Sequence, residues 1–143
     1  EEIDFCWRAQ LAGYRIRVEP RSTVFHVGGG TLPNNSPQKI YLNFRNNLCM
    51  LFKNLSPGTF WPVLFSRMVL DGMAALVFLV QGHPDFFKKV FRAHIDFHRQ
   101  RKSLHEKRRA IQRHRVARPH GILRNSIILL HAFGYRTFDK VMR

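Results

Sequence analysis

The chain has 143 residues, room for one modest core, and its 45% apolar content excludes a disordered or collagen-like polymer. Lys and Arg number 24 against 9 Asp and Glu, a formal charge of +15 that points to phosphate-bearing partners, either lipid headgroups or nucleic acid. Two cysteines, Cys6 and Cys49, make neither a disulfide framework nor a metal-ligand spacing, so a reducing compartment is expected. The opening Glu1-Glu2 has no initiator Met, basic n-region or apolar h-region, so the chain is read as having no signal peptide and as cut from something longer.

The charge divides the chain. Residues 1–35 carry four acids and four bases, whereas all the excess charge falls in 36–143. This predicts a balanced N-terminal piece and a basic, aromatic C-terminal piece that meets a polyanionic surface.

From Ile3 to Ala12 the apolar Ile3, Cys6, Trp7 and Leu11 recur at helical spacing. Acids crowd the first turn, where the helix dipole favours them, and Gly13 stands where a C-cap glycine belongs. Tyr14, Ile16 and Val18 then alternate with Arg15, Arg17 and Glu19, which predicts a half-buried strand. Pro20-Arg21-Ser22 turns the chain into a second strand, Thr23 to Val27, ending at Gly28-Gly29-Gly30. Consecutive glycines permit positive φ and let backbone N–H groups approach an anion, although alone they equally describe a flexible loop.

Three strings stand in order here: Glu1-Glu2-Ile3-Asp4-Phe5-Cys6-Trp7-Arg8, then Ala12-Gly13-Tyr14-Arg15-Ile16, then Val24-Phe25-His26-Val27-Gly28-Gly29-Gly30-Thr31. Together they resemble the end of the catalytic domain of family 2 glycosyltransferases of the GT-A fold, the bacterial rhamnosyltransferase-like members most closely. In that family an acidic box starts a helix, a Gly-aromatic strand follows, and a His-Gly segment closes the site. The resemblance covers roughly the first 50 residues. It implies an α/β fragment: the closing helix and strands of a GT-A domain over 1–35, followed by mainly α-helical, membrane-associated regions.

Sugar transfer needs a base for the acceptor hydroxyl and something cationic for the departing diphosphate. The resemblance implies an inverting displacement from a nucleotide-sugar donor to a cell-surface polysaccharide or lipid-linked acceptor, with a divalent metal, Mg or Mn. The base maps by position onto Glu2, where the family normally has Asp. Glu reaches one methylene further, so Asp4 stands as the alternative acid; a plainer reading has both acids merely complementing the helix N-terminus. His26 would help hold the metal, imidazole being a suitable ligand, and Gly28, Gly29 and Gly30 would line the diphosphate side. The family's D-x-D motif and the nucleotide-binding half of its sheet are not in these 143 residues, so the chain alone is expected neither to bind a sugar nucleotide tightly nor to turn over.

Ser36-Pro37 supplies an N-cap and an N1 proline. Ile40, Tyr41, Phe44, Leu48, Leu51, Phe52 and Leu55 then share a face, which predicts an amphipathic helix within 36–58 packed on the catalytic domain. Its Tyr41-x-x-x-Arg45-Asn46 stretch resembles a helix of these transferases whose arginine lies near the acceptor or diphosphate; Arg45 equally reads as a solvated helix cation.

Residues 60–80 have the length of a membrane span, but Arg67 and Asp71 each cost about 2.5–3.5 kcal/mol at a bilayer centre. They stand at i, i+4 and can neutralise each other in part. The expected placement is a helix in the interface or packed on the catalytic domain, with a tilted or re-entrant helix and a buried core helix as alternatives. Gln81-Gly-His-Pro84 breaks it, and a helix from near Asp85 sets Phe86, Phe87, Val90, Phe91 and Ile95 against Lys88, Lys89, Arg92 and Arg99. Residues 88–118 hold twelve Lys or Arg against Asp96 and Glu106.

Region 59–118 is therefore expected to meet an anionic membrane surface, which the resemblance implies is the cytoplasmic face of the inner membrane, and 119–143 to end in a further helix. A solvated basic helix with its phenylalanines packed inward is the duller reading. A non-catalytic basic module at the membrane surface and a nucleic-acid-binding protein are the alternative functions. Nucleic acid ranks lower, since the chain shows no zinc-finger spacing, RNP-like strand or helix-turn-helix pattern.

Overall fold

The computed structural model describes residues 2–25, Pro33 and 36–119. Five helices follow in order: α1 (Glu2–Leu11), α2 (Pro37–Asn54), α3 (Pro57–Val80), α4 (Pro84–Arg99) and α5 (Arg101–Arg113). The central element is α2, which packs on each of the other four, most extensively on α4.

Local signals set most of the helix ends. The Ser36 side chain accepts from Lys39 N at 3.2 Å and Pro37 takes the first helical position, so α2 starts as expected. At the end of α1, Gly13 N donates to Gln10 O and Tyr14 N to Ala9 O, both at 3.0 Å. This is a Schellman closure, and it places Gly13 at φ 90°. A side chain there would also meet Val116, whose Cγ2 lies 3.1 Å from the position of an added Cβ. Val116 N in turn donates to Leu11 O at 2.9 Å, fastening the chain after α5 to the end of α1.

The core centres on Phe52, whose ring meets Phe60 of α3, Phe97 of α4 and His105 of α5 edge-on, with centroids 5.2, 5.7 and 4.9 Å away. Leu48, Leu55, Leu64 and Leu104 complete the buried cluster. The break between α4 and α5 at Gln100, with φ −85° and ψ 0°, lets α5 fold back onto α2. There Arg108 Nη1 donates to Phe52 O at 2.6 Å, and Gln112 Nε2 donates to Lys53 O at 3.2 Å. These side chains satisfy carbonyls that the end of any helix leaves without a helical partner.

The expected α/β fragment is not what forms: 74% of the described residues are helical, and among them there is no strand and no sheet. The predicted turn is present, with Ser22 N donating to Glu19 O at 3.0 Å. Residues 14–19 and 22–25, however, form no strand. Alternation of side chains marks a strand's two faces but supplies no neighbour, and one isolated hairpin is marginal in water. Val18 and Val24 are accordingly 87% and 83% exposed rather than half-buried. The end of the second expected strand, His26 and Val27, lies outside the described residues, as does nearly all of the expected 119–143 helix.

At 24 residues α3 is long and apolar enough to cross a membrane. Its two charged residues face the bundle. Asp71 is 2% exposed, with Arg67 Nε 2.7 Å from one carboxylate oxygen and His94 Nε2 of α4 3.2 Å from the other. The Arg67 guanidinium also lies over the Phe44 ring of α2 at 5.5 Å.

Candidate functional site

The two candidate acids sit on one short helix but point different ways. Asp4 faces α2, where its carboxylate accepts from Lys53 Nζ at 2.9 Å and Asn54 Nδ2 at 2.7 Å, with Arg8 Nε at 3.2 Å. Partial burial pushes the Asp4 pKa up, but the hydrogen bonds from Lys53 and Asn54 and the charges of Lys53 and Arg8 outweigh it and hold the group below its ordinary value. A carboxylate so stabilised in its ionised form is a weak base, and its oxygens are engaged in holding α1 to α2.

Glu2 is exposed and lies about a half-turn round from Asp4. It stands at i−3 from Phe5 and i−7 from Ala9, so the three share one stripe of α1. Phe5, Ala9 and Ala12 line an open groove of about 580 Å³ that runs between α1, the segment 14–16 and α5. Its walls are apolar, including Tyr14, Ile16 and Ile111, with Arg8 and His114 the basic groups along it. The helical rise puts Glu2 about 4.5 Å along the axis beyond Phe5, at the head of this stripe.

Arg45 is not brought to these acids. It stands eight residues before Lys53, about 12 Å along α2, and faces α4. Its Nη1 donates to Tyr41 Oη at 3.4 Å, and Tyr41 Oη donates to Asp96 Oδ2 at 3.0 Å. Arg92 Nε donates to the same Asp96 oxygen at 3.0 Å, and Arg99 Nη1 lies 3.6 Å from the other. Arg45 thus belongs to a cationic cluster around one carboxylate, a setting that composition alone did not reveal.

His26, Gly28, Gly29 and Gly30 lie outside the described residues. Among the described residues no three His, Cys, Asp or Glu side chains come together as a donor set for a divalent ion. Cys49 is half-buried, and burial pushes its thiol up, away from the reactive thiolate.

Arg8 and His114 escaped the sequence reading as groove residues. Arg8 stood in the acidic string, where its spacing from Asp4 at i, i+4 was visible. His114 is distant in sequence and reaches the groove only because α5 folds back. No family model, no curated protein and no solved structure matches the chain.

Proposed function

We propose that the chain belongs to a glycosyltransferase that passes a sugar from a nucleotide-sugar donor, with inversion, to a glycan or lipid-linked acceptor at the cytoplasmic face of the bacterial inner membrane. Glu2 is the base. The acceptor hydroxyl oxygen bonds to the anomeric carbon as the bond to the donor's diphosphate breaks, the electron pair leaves with the diphosphate, and the hydroxyl proton passes to the Glu2 carboxylate. The observation that carries this reading is the division of labour on α1. Asp4 is committed to Lys53 and Asn54, while Glu2 stands about one turn of α1 before Phe5, which lines the groove. Arg8 supplies positive charge along that groove, where a departing diphosphate develops negative charge, and His114 lies beside it. Its apolar walls suit the lipid of a lipid-linked acceptor better than a bare glycan.

The test is Glu2→Gln in the enzyme that carries this chain. Transfer from the donor should fall by about 100-fold or more, the scale of a lost general base, with donor affinity measured by calorimetry unchanged. Turnover close to that of the parent enzyme would take the base away from Glu2.

A further inference from the structure

The outer surface of α3 is the largest feature that the transferase reading leaves unused. Its exposed residues include Trp61 (69%), Phe65 (69%), Val69 (48%), Met73 (57%), Leu76 (58%) and Val80 (88%). At 3.6 residues per turn they form one ridge along the helix. No exposed position of α3 is charged, because Arg67 and Asp71, its only ionisable residues, meet each other and His94 on the inner side. The ridge therefore offers an oily surface with no carboxylate to repel an anionic headgroup.

Its surroundings supply the opposite charge. Phe91 of α4, 64% exposed, stands three residues before His94, which contacts α3, and so widens the apolar surface on that edge. Lys88, Arg92 and Arg99 occupy the next face of α4 around, and α5 continues the basic run. A second copy of this chain is a poor occupant, since each copy brings a formal charge of +15.

We propose that α3 seats on an anionic bilayer, lying in the plane of the leaflet with this ridge in the boundary between headgroups and acyl chains. The inner face decides against a crossing orientation. Phe60, Leu64, Asp71 and Ala75 are buried against the bundle, so a spanning α3 would have to draw the Arg67–Asp71–His94 cluster into hydrocarbon. Lying flat, the helix keeps that cluster inside the protein, and the amphipathic Trp61 ring sits at headgroup level. This inference stands independently of the proposed sugar transfer.

Trp61 reports on it directly, because Trp7→Phe leaves it the sole tryptophan. With the 143-residue chain and vesicles of phosphatidylcholine and phosphatidylglycerol, Trp61 emission should shift to the blue and be quenched by lipids brominated near the headgroup end of their chains. Phosphatidylcholine alone should give a much weaker response. The double variant Phe65→Glu/Leu76→Glu should lower vesicle partitioning about tenfold or more; both sites are exposed, so its lipid-free melting should match the parent. Cysteines placed at Thr59 and Gln81, in a chain with Cys6 and Cys49 replaced by Ala, should both react with an impermeant maleimide added outside the vesicles. An unshifted Trp61, partitioning insensitive to the double variant, a lipid-free dimer that already buries Trp61, or protection of one of the two end cysteines would each overturn the proposal.

Discussion

Asp4 and Asp71 each fasten one helix to a neighbour, in very different surroundings. The Asp4 side chain, 19% exposed at the rim of α1 and α2, is met by Lys53, Asn54 and Arg8. Asp71 is sealed between α3 and α4, where Arg67 and His94 meet it. Water can replace part of what Asp4 loses if its clasp opens, but it cannot reach Asp71 without separating two helices. The rim clasp is therefore adjustable, whereas the inner one keeps α3 charge-free on its outer side.

Breaking the inner clasp should have the largest effect. Asp71→Ala leaves the Arg67 charge facing the bundle without its carboxylate and should cost about 3–5 kcal/mol in chemical denaturation. Arg67→Met/Asp71→Leu, which removes both charges at similar volume, should recover most of that loss. If the double variant is as unstable as the single one, the ion pair is not what α3 depends on.

Gly13→Ala tests the other fastening of α1 and should cost about 1–2 kcal/mol, because φ is 90° and the added methyl meets Val116. Removing Val116's side chain by Val116→Ala should relieve only the steric part of that cost. A Gly13→Ala variant as stable as the parent would mean that the Schellman closure contributes nothing to seating α1.

The rim clasp also has a pH signature. Its folded-state pKa is lowered from the unfolded value near 3.9, so its stabilisation is complete above about pH 4 and is lost as pH falls through the folded-state value. Urea unfolding across acidic pH should show that loss in the parent and a weaker one in Asp4→Asn. Equal acid sensitivity in the two would remove Asp4 from the linkage.

Much of this arrangement was legible along the chain, and the reasons for the remainder are physical. Ser36-Pro37 and Gly13 are local devices, readable because a cap acts within one turn. The Arg67–Asp71 pair was readable for the same reason, since i, i+4 neighbours share a face. Its third member, His94, was not, because 23 residues and a helix reversal separate it from Asp71. Nor was the Asp4 clasp, whose partners lie 49 and 50 residues on. The break at Gln100 carries no glycine or proline, so the basic run read as continuous. The segment 14–19 misled in the opposite sense: its alternation is genuine, but a strand needs a neighbour that alternation does not provide.

In the proposed enzyme, two acids only two residues apart on α1 carry different tasks. Thermal melting and sugar transfer measured side by side on Asp4→Asn in the enzyme that carries this chain test this most directly. The predicted result is a melting point lower by several degrees, consistent with about 1–2 kcal/mol, with turnover below the melt close to the parent's. Lost turnover at an unchanged melting point would make Asp4 the chemical group and contradict the assignment.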